Sequence, residues 1–202
     1  MPVTYSPPYD SPIEDAFARH FSDYASESIN LATQVHVNTI CGLFILDFLI
    51  TTSNGHRIGI ECDGKEFHNE SRDEWRDGMI LGGAHVDTIY RLRGADINHR
   101  IEDVLLVLCS LEPGLFNSRA RARLRTLASE EALKMSANTD QDVYSALIAS
   151  ESEMGTLRIE ARRRIVPLGQ RRFWMTAYKF AVAHNGGNLD DLMATYRANK
   201  AI

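Results

Sequence analysis

The stretch that decides the fold runs from Leu43 to Asp63 and reads LFILDFLITTSNGHRIGIECD. Two apolar runs, Leu43–Ile50 and Ile58–Ile60, are joined by the polar segment Thr52-Ser53-Asn54-Gly55-His56. Apolar runs on either side of a short segment that contains Asn-Gly are typical of a β-hairpin. We therefore predict two antiparallel strands, with acidic residues on both.

The loop of this hairpin can close in two ways, and the choice decides where the acids point. A two-residue turn at 54–55 would pair residue 53 with 56 and turn Asp47 and Glu61 to opposite faces. A three-residue loop at 53–55, with Gly55 in the left-handed conformation, would pair 52 with 56 and Asp47 with Glu61. We predict the three-residue loop, which sets the two Cβ atoms roughly 5 Å apart. Asp63 lies two residues further on and shares their face.

Paired acids on apolar strands need a physical explanation. Like charges directly opposite each other are destabilising, and buried carboxylates are costly unless they bind a cation or share a proton. A divalent cation would reverse that cost, since hard cations take carboxylate oxygens. Both faces of the hairpin are largely apolar, which predicts a covered position inside a sheet. One face is predicted to hold Phe44, Leu46, Phe48, Ile50, Ile58 and Ile60, and the other Leu43, Ile45 and Leu49 beside the acids.

The 202-residue chain is long enough for one core with an appendage. It has no apolar run of membrane-spanning length, and its first twenty residues lack the basic start and apolar core of a secretory signal. Cys41, Cys62 and Cys109 lack CxxC spacing, which indicates free thiols in a reducing compartment. We therefore expect a cytoplasmic protein without membrane contact.

Charge is distributed unevenly along the chain. Residues 1–114 carry 8 Lys and Arg against 18 Asp and Glu, a balance of −10. Residues 115–202 carry 14 against 9, a balance of +5, which restores the total of −5. A basic C-terminal part is typical of a polyanion-binding surface, and equally of solvated helices.

The periodicity of apolar residues predicts the order αβββαβα over residues 11–113. Ser11 and Glu14 form a capping-box pattern around Pro12 at the start of a helix that ends before residue 26. A short strand at 34–38 and the hairpin follow, then a helix at 69–82, a strand at 86–91 and a helix at 101–111. This order predicts a mixed sheet with helices on both faces. Residues 114–202 are predicted to form a basic, helical C-terminal extension, with one helix at Asp142–Met154.

The element order and the acid spacing resemble the PD-(D/E)xK, or restriction-endonuclease-like, superfamily. Glu61, Asp63, Gly64 and His68 resemble the E-x-D-G-x-x-H pattern of small relatives of the very-short-patch repair endonucleases, with one additional residue before the histidine. The segment from Asp73 to Asp77, followed by Ile89-Tyr90-Arg91, is similar to the way that group continues, and the likeness covers about residues 11–113. The common superfamily motif ends in E-x-K, whereas here Asp63 occupies the lysine position.

The resemblance implies an Mg²⁺ or Mn²⁺ site held by Asp47 and Glu61, with Asp63 as a ligand of a second metal ion. Lys65 would orient water or neutralise a phosphate oxygen, and His68 would transfer a proton. Which of the two replaces the missing lysine stays open. Glu14 is explained by the helix cap and could also reach the metal through a water molecule.

The sequence therefore predicts a divalent-metal-dependent endonuclease that acts on DNA, with RNA as a less favoured substrate. The alternative is a catalytically weak protein of nuclease fold that binds nucleic acid or a partner protein. A homodimer is compatible with either interpretation. The expected contacts to the phosphate backbone are Arg91, Arg158, Arg162, Arg163, Arg171 and Arg172.

Overall fold

A computed structural model describes residues 3–64, 70–149, 154–165 and 173–200. The first part of the chain contains α1 (Pro12–Tyr24), β1 (Asn30–Thr39), β2 (Gly42–Thr51), β3 (Arg57–Asp63), α2 (Glu70–Gly82), β4 (Thr88–Arg93), α3 (Gly94–His99) and α4 (Ile101–Leu111). A 3₁₀ turn (Pro113–Leu115) leads to α5 (Ser118–Leu127), α6 (Glu130–Met135), β5 (Val143–Ala149), β6 (Met154–Arg163), α7 (Phe173–Ala183) and α8 (Leu189–Lys200).

The described strands form one six-stranded sheet in the order β1-β2-β3-β4-β6-β5. Strands β3 and β4 are parallel, and every other neighbouring pair is antiparallel. The chain is therefore an α/β protein with a mixed sheet. The predicted order αβββαβα is found over residues 11–113, with one additional short helix, α3, between β4 and the last helix.

Helices cover both faces of this sheet, as predicted. Ile58 and Ile60 of β3 belong to a core cluster shared with α1 and α4. Gly59, between them, faces the other way, because a Cβ there would meet Leu46 and Ile89 in the clusters on the α2 side. Helices α7 and α8 complete the α2 side around Trp75. The carboxyl end of β3 thus emerges between the two helical layers.

Helix α1 begins as the sequence predicts. Ser11 is the N-cap, and its Oγ accepts a hydrogen bond from the backbone N–H of Glu14 at 3.2 Å. Pro12 occupies the first helical position, where its missing N–H costs nothing. Phe17 and Phe21 then stack on one another in the core.

The helix predicted at Asp142–Met154 is wrong, because this segment contains β5, which pairs antiparallel with β6. Tyr144 and Ile148 of β5 are buried, whereas the preceding residues Val143 and Leu147 are exposed, which fits the period of a strand. Since β6 pairs with β4, the sheet crosses the expected boundary at residue 113. The segment after residue 113 is therefore not entirely helical.

Two further findings concern the state of the cysteines and the length of the helices. All three cysteines are free, and burial raises the pKa of each thiol. Within the ranges that the structure covers, no helix combines the length and apolar character needed to cross a membrane.

Candidate active site

The register of the β2–β3 hairpin brings the predicted acids together. Phe48 pairs with Ile60, and the Thr52 N–H donates to the His56 carbonyl oxygen at 3.0 Å. Gly55 has a φ of +82°, the left-handed value that the three-residue loop requires. The predicted loop is therefore confirmed. The regular pairing ends at Phe48 and Ile60, so Asp47 and Glu61 are the next residues along the two strands.

Strand β2 changes face at Asp47, which the period-two pattern did not predict. Phe44 and Leu46 pack on the α2 side, whereas Phe48 and Ile50 pack on the α1 side. The β1–β2 pairing skips the position where Gln34 would meet Asp47, and Gln34 has a φ of +50°. Placing Phe44 and Leu46 on the same face as Phe48 and Ile50 was therefore wrong. The prediction that both faces of the hairpin are covered is also only partly correct, because Leu43 and Ile45 are exposed.

The Asp47 carboxylate lies against the backbone of the neighbouring strand. Its Oδ2 accepts a hydrogen bond from the Cys62 N–H at 2.7 Å, where the regular β2–β3 pairing has ended. Burial raises the pKa of Asp47 to about 6, in spite of that hydrogen bond. The charges of Glu14 and Asp63 act in the same direction, and Arg76 opposes them. Asp47 therefore lies in a region of excess negative charge.

Glu61 is almost completely buried, at 4% exposure, and is bound by an arginine. Arg76 of α2 donates from Nη1 to Oε2 at 2.9 Å and from Nη2 to Oε1 at 2.8 Å. The same guanidinium reaches the Ile45 carbonyl oxygen and lies over the Phe44 ring. Burial nevertheless raises the pKa of Glu61 to about 8, and the charge of Asp47 contributes to the rise.

Glu14 joins these residues from α1. It is buried, and its carboxylate accepts hydrogen bonds from the Ser11 Oγ and the Gln34 Nε2, both at 2.8 Å. Its charge raises the pKa of Asp47, which places it within electrostatic reach of that carboxylate. Glu14 thus serves the helix cap and the site at once. We call Glu14, Asp47, Glu61 and Arg76 the acid cluster.

Asp63, the third predicted acid, takes part in a separate group of ion pairs. Arg91 donates to Asp63 at 3.2 Å and holds Asp77 with two hydrogen bonds of 2.9 Å. Arg162 of β6 also binds Asp77, and its Nη2 donates to Glu160 at 3.1 Å. We call Asp63, Asp77, Arg91, Glu160 and Arg162 the arginine network. Burial alone would raise the pKa of Asp77, but the arginines around it hold it below its usual value.

The arginine network changes the interpretation of Arg91. The sequence suggested a phosphate contact, but this guanidinium is only 5% exposed and is committed to Asp77 and Asp63. A buried cation that neutralises buried carboxylates stabilises the fold and offers little to a ligand. The prediction of Arg91 as a DNA contact is therefore corrected to a structural role.

Three further predicted arginines, Arg158, Arg162 and Arg163, lie on β6 and face partners within the protein. Arg158 pairs with Glu160 at 2.8 Å, and Arg162 binds Asp77. Arg163 donates to the Tyr144 hydroxyl at 2.8 Å and to the Gln141 carbonyl oxygen at 3.1 Å. Four predicted site residues, Lys65, His68, Arg171 and Arg172, lie outside the described residues.

The fit of the acid cluster to a metal ion is partial. Asp47 and Glu61 supply the oxygen donors that Mg²⁺ prefers, but both Glu61 oxygens accept hydrogen bonds from Arg76. Over the ranges that the structure describes, no three His, Cys, Asp or Glu side chains are gathered as a metal-binding group. A cation at Glu61 therefore requires Arg76 to move away.

Sequence reasoning missed Arg76 and Gln34, although both contact predicted site residues. An arginine on a helix is typical of a solvated face, so its sequence context gave no signal. The left-handed Gln34 was equally hidden, because non-glycine residues rarely adopt that conformation.

Comparison with known proteins gives no match. No protein-family model, no curated protein and no solved structure matches the chain. The resemblance to restriction-endonuclease-like proteins therefore depends on the motif residues and the element order alone.

Proposed function

We propose that this protein is a divalent-metal-dependent endonuclease that hydrolyses phosphodiester bonds in DNA. The observation that carries the proposal is the position of Asp47 at the end of the β2–β3 pairing, where it accepts from the Cys62 N–H and its charge raises the pKa of the adjacent Glu61. A carboxylate pair from adjacent strands supplies hard oxygen ligands on a rigid support.

The electrostatics of the acid cluster support this proposal. Burial raises the pKa of Asp47 to about 6 and that of Glu61 to about 8, and each carboxylate lies near other acids. Such perturbed acids are more frequent at functional sites than elsewhere, because the fold has to sustain their cost. A bound cation would neutralise the excess charge that Arg76 offsets only in part.

Each of the site residues has a role in the proposed hydrolysis. Bound Mg²⁺ would lower the pKa of a water molecule and stabilise the charge that develops on the phosphate. Asp47 and Glu61 would hold the ion, while the Cys62 N–H orients Asp47 through its 2.7 Å hydrogen bond. Glu14 would contact the ion through water. Lys65 and His68 follow β3 in the chain and are the proposed water-orienting and proton-transferring groups.

Nicking of supercoiled plasmid in Mg²⁺ or Mn²⁺ tests the proposal. Asp47→Asn and Glu61→Gln keep side-chain size while removing the negative charges, so both should lower the nicking rate by at least about a hundredfold. Asp15→Asn is the matched control, because it removes a carboxylate from the same helix as Glu14, where it accepts from the Tyr5 hydroxyl. Equal nicking by all four proteins, or none by the wild type, would refute the activity.

A second function is favoured by one specific observation, the occupation of Glu61 by Arg76. If Arg76 never releases Glu61, the chain would be a catalytically weak protein of nuclease fold that binds nucleic acid or a partner protein. Wild-type protein would then bind DNA without nicking it in either metal. Arg76→Gln separates the two functions, because it should raise metal affinity if the arginine competes with the ion.

A further inference from the structure

Helix α5 carries an unusual concentration of positive charge. Four arginines, Arg119, Arg121, Arg123 and Arg125, occur within seven residues, and the helix contains no acid. All four are exposed. The helix is anchored by buried Ala120 and Leu124.

The α5 arginines differ from Arg158 and Arg162 of β6, which pair with Glu160 and Asp77, in lacking internal acidic partners. Within the described residues, no carboxylate lies within the 4.0 Å ion-pair limit of any of the four. Arg121 donates to the Phe116 and Pro113 carbonyl oxygens, and Arg123 lies over the Tyr24 ring. Arg119 and Arg125 make no hydrogen bond to a described residue.

This arrangement is unfavourable for the isolated protein. Arg119 and Arg123 are four residues apart, as are Arg121 and Arg125, and like charges at that spacing repel on a helix. An ordinary solvated helix intersperses acids among its cations, as α6 does with Glu130 and Lys134. A polyanion would turn the repulsion of α5 into attraction.

The pattern of small residues points to one kind of polyanion. At 3.6 residues per turn, the two arginine pairs lie on either side of an outward strip formed by Ser118, Ala122 and Thr126. These side chains are exposed and small. A membrane-binding helix would place large apolar side chains there, whereas a phosphate backbone needs close approach with cations on both sides. Arginine also binds phosphate oxygens with two parallel hydrogen bonds.

We propose that α5 is the surface that binds the phosphate backbone of duplex DNA. This inference rests on the proposed function and assigns its DNA contacts to α5 instead of β6. Tyr24, beneath Arg123, lies ten residues after Glu14 on α1. At 1.5 Å per residue these two positions are about 15 Å apart along the helix, less than half of a B-DNA turn.

Binding of a fluorescein-labelled 30-base-pair duplex, measured by anisotropy in EDTA over a series of salt concentrations, tests the inference. The triple variant Arg119→Gln, Arg123→Gln, Arg125→Gln should bind about tenfold or more weakly at moderate salt. Its slope of log K against log salt should flatten by about 2–3, since each lost phosphate contact removes about 0.9.

A matched control removes three exposed cations from the other helical layer: Arg72→Gln, Lys179→Gln and Arg197→Gln. This control changes the net charge by the same amount as the α5 variant. If its salt slope stays close to the wild-type slope, the effect of the α5 variant comes from the location of the removed charges. The corresponding triple Arg→Lys variant in α5 keeps the charges and should retain the slope, which separates loss of contact from loss of folding.

The outcomes separate this inference from the proposed function. If wild type nicks plasmid while the glutamine variant keeps wild-type affinity and slope, the assignment of α5 is overturned and the nuclease survives. An α5-dependent affinity for anionic phospholipid vesicles without DNA binding would overturn it as well. Absence of both binding and nicking in the wild type would overturn both proposals together. Weak binding by the variant with normal nicking at saturating protein would support both.

Discussion

Two groups of charged residues lie side by side around β3, and the pKa values of their acids are shifted in opposite directions. In the arginine network, Asp77 is fully buried, yet Arg91 and Arg162 hold its pKa below the usual value. In the acid cluster, Arg76 faces Glu14, Asp47 and Glu61, and the pKa values of Asp47 and Glu61 are raised. Glu61 and Asp77 are similarly buried, so the number of nearby cations makes the difference between these two acids.

This contrast teaches how to separate a structural cluster from a candidate site. Complete pairing of buried charges gives a group that is costly to break and has little left for a ligand. Incomplete pairing leaves acids whose negative charge is not neutralised within the protein, and a bound cation can neutralise it.

Removing Arg91 should do the most damage. Arg91→Met leaves Asp77 and Asp63 without their shared cation, which should cost about 3–5 kcal/mol because a buried charge loses its partner. Arg72→Met is the control, since its pair with Asp190 is largely exposed and should contribute about 0–1 kcal/mol. Urea unfolding of the two variants measures both effects. Equal midpoints would mean that the arginine network is not structural.

Asp47→Asn should have the opposite effect on stability while removing activity. The amide oxygen can still accept from the Cys62 N–H, but the unfavourable charge is gone. We expect a gain of about 1–2 kcal/mol in free energy of unfolding at pH 8 without metal, given about 1.4 kcal/mol per pKa unit. Nicking should be lost in the same variant. A destabilised Asp47→Asn protein would argue against excess negative charge at this position.

Stability should fall with rising pH in the metal-free protein. The folded-state pKa values of Asp47 and Glu61, about 6 and about 8, lie above the values near 4 of an unfolded chain. The stability from these two groups is therefore fully present below about pH 4 and is lost as pH rises through 6 and 8. Between pH 6 and 9 the thermal midpoint should drop by about 4–8 °C, equivalent to about 2 kcal/mol.

The titration of Asp77 does not contribute to the change in stability between pH 6 and 9. Its lowered pKa contributes stability above the unfolded value near 4, which is lost only in acid. The double variant Asp47→Asn, Glu61→Gln should flatten the profile between pH 6 and 9, and Mg²⁺ should raise the wild-type midpoint most at high pH. A flat wild-type profile would contradict the account.

Gly55→Ala should have the smallest effect. A side chain at a φ of +82° costs about 1–2 kcal/mol, and asparagine should cost less. Because the cross-strand pairing holds the register, nicking should persist in both variants. Complete loss of nicking without unfolding would show that the loop alone fixes the position of Asp47 beside Glu61.

The hairpin was predictable because local chemistry determines it. Gly55 supplies the left-handed residue, and the apolar runs on either side fix the pairing of Phe48 with Ile60. The face change at Asp47 was not predictable, because it depends on Gln34 of another strand. Arg76 was missed for the same reason, since its bonds to Glu61 form only when α2 packs on the sheet.

The error at Asp142–Met154 has a different cause. The exposed Val143 and Leu147 are as apolar as the buried Tyr144 and Ile148, so the sequence shows no clear period-two alternation there. Short segments of this kind fit both periods, and the partner strand decides between them. Here β6 is held next to β4, which gives β5 an edge to pair with.

The most direct test of the central claim is a crystal structure of the protein soaked in Mn²⁺, with the ion located by anomalous scattering. We expect Mn²⁺ bound by carboxylate oxygens of Asp47 and Glu61, with the Arg76 guanidinium displaced from Glu61. Arg76 still bound to Glu61, with no Mn²⁺ between the two acids at concentrations that support nicking, would contradict this claim.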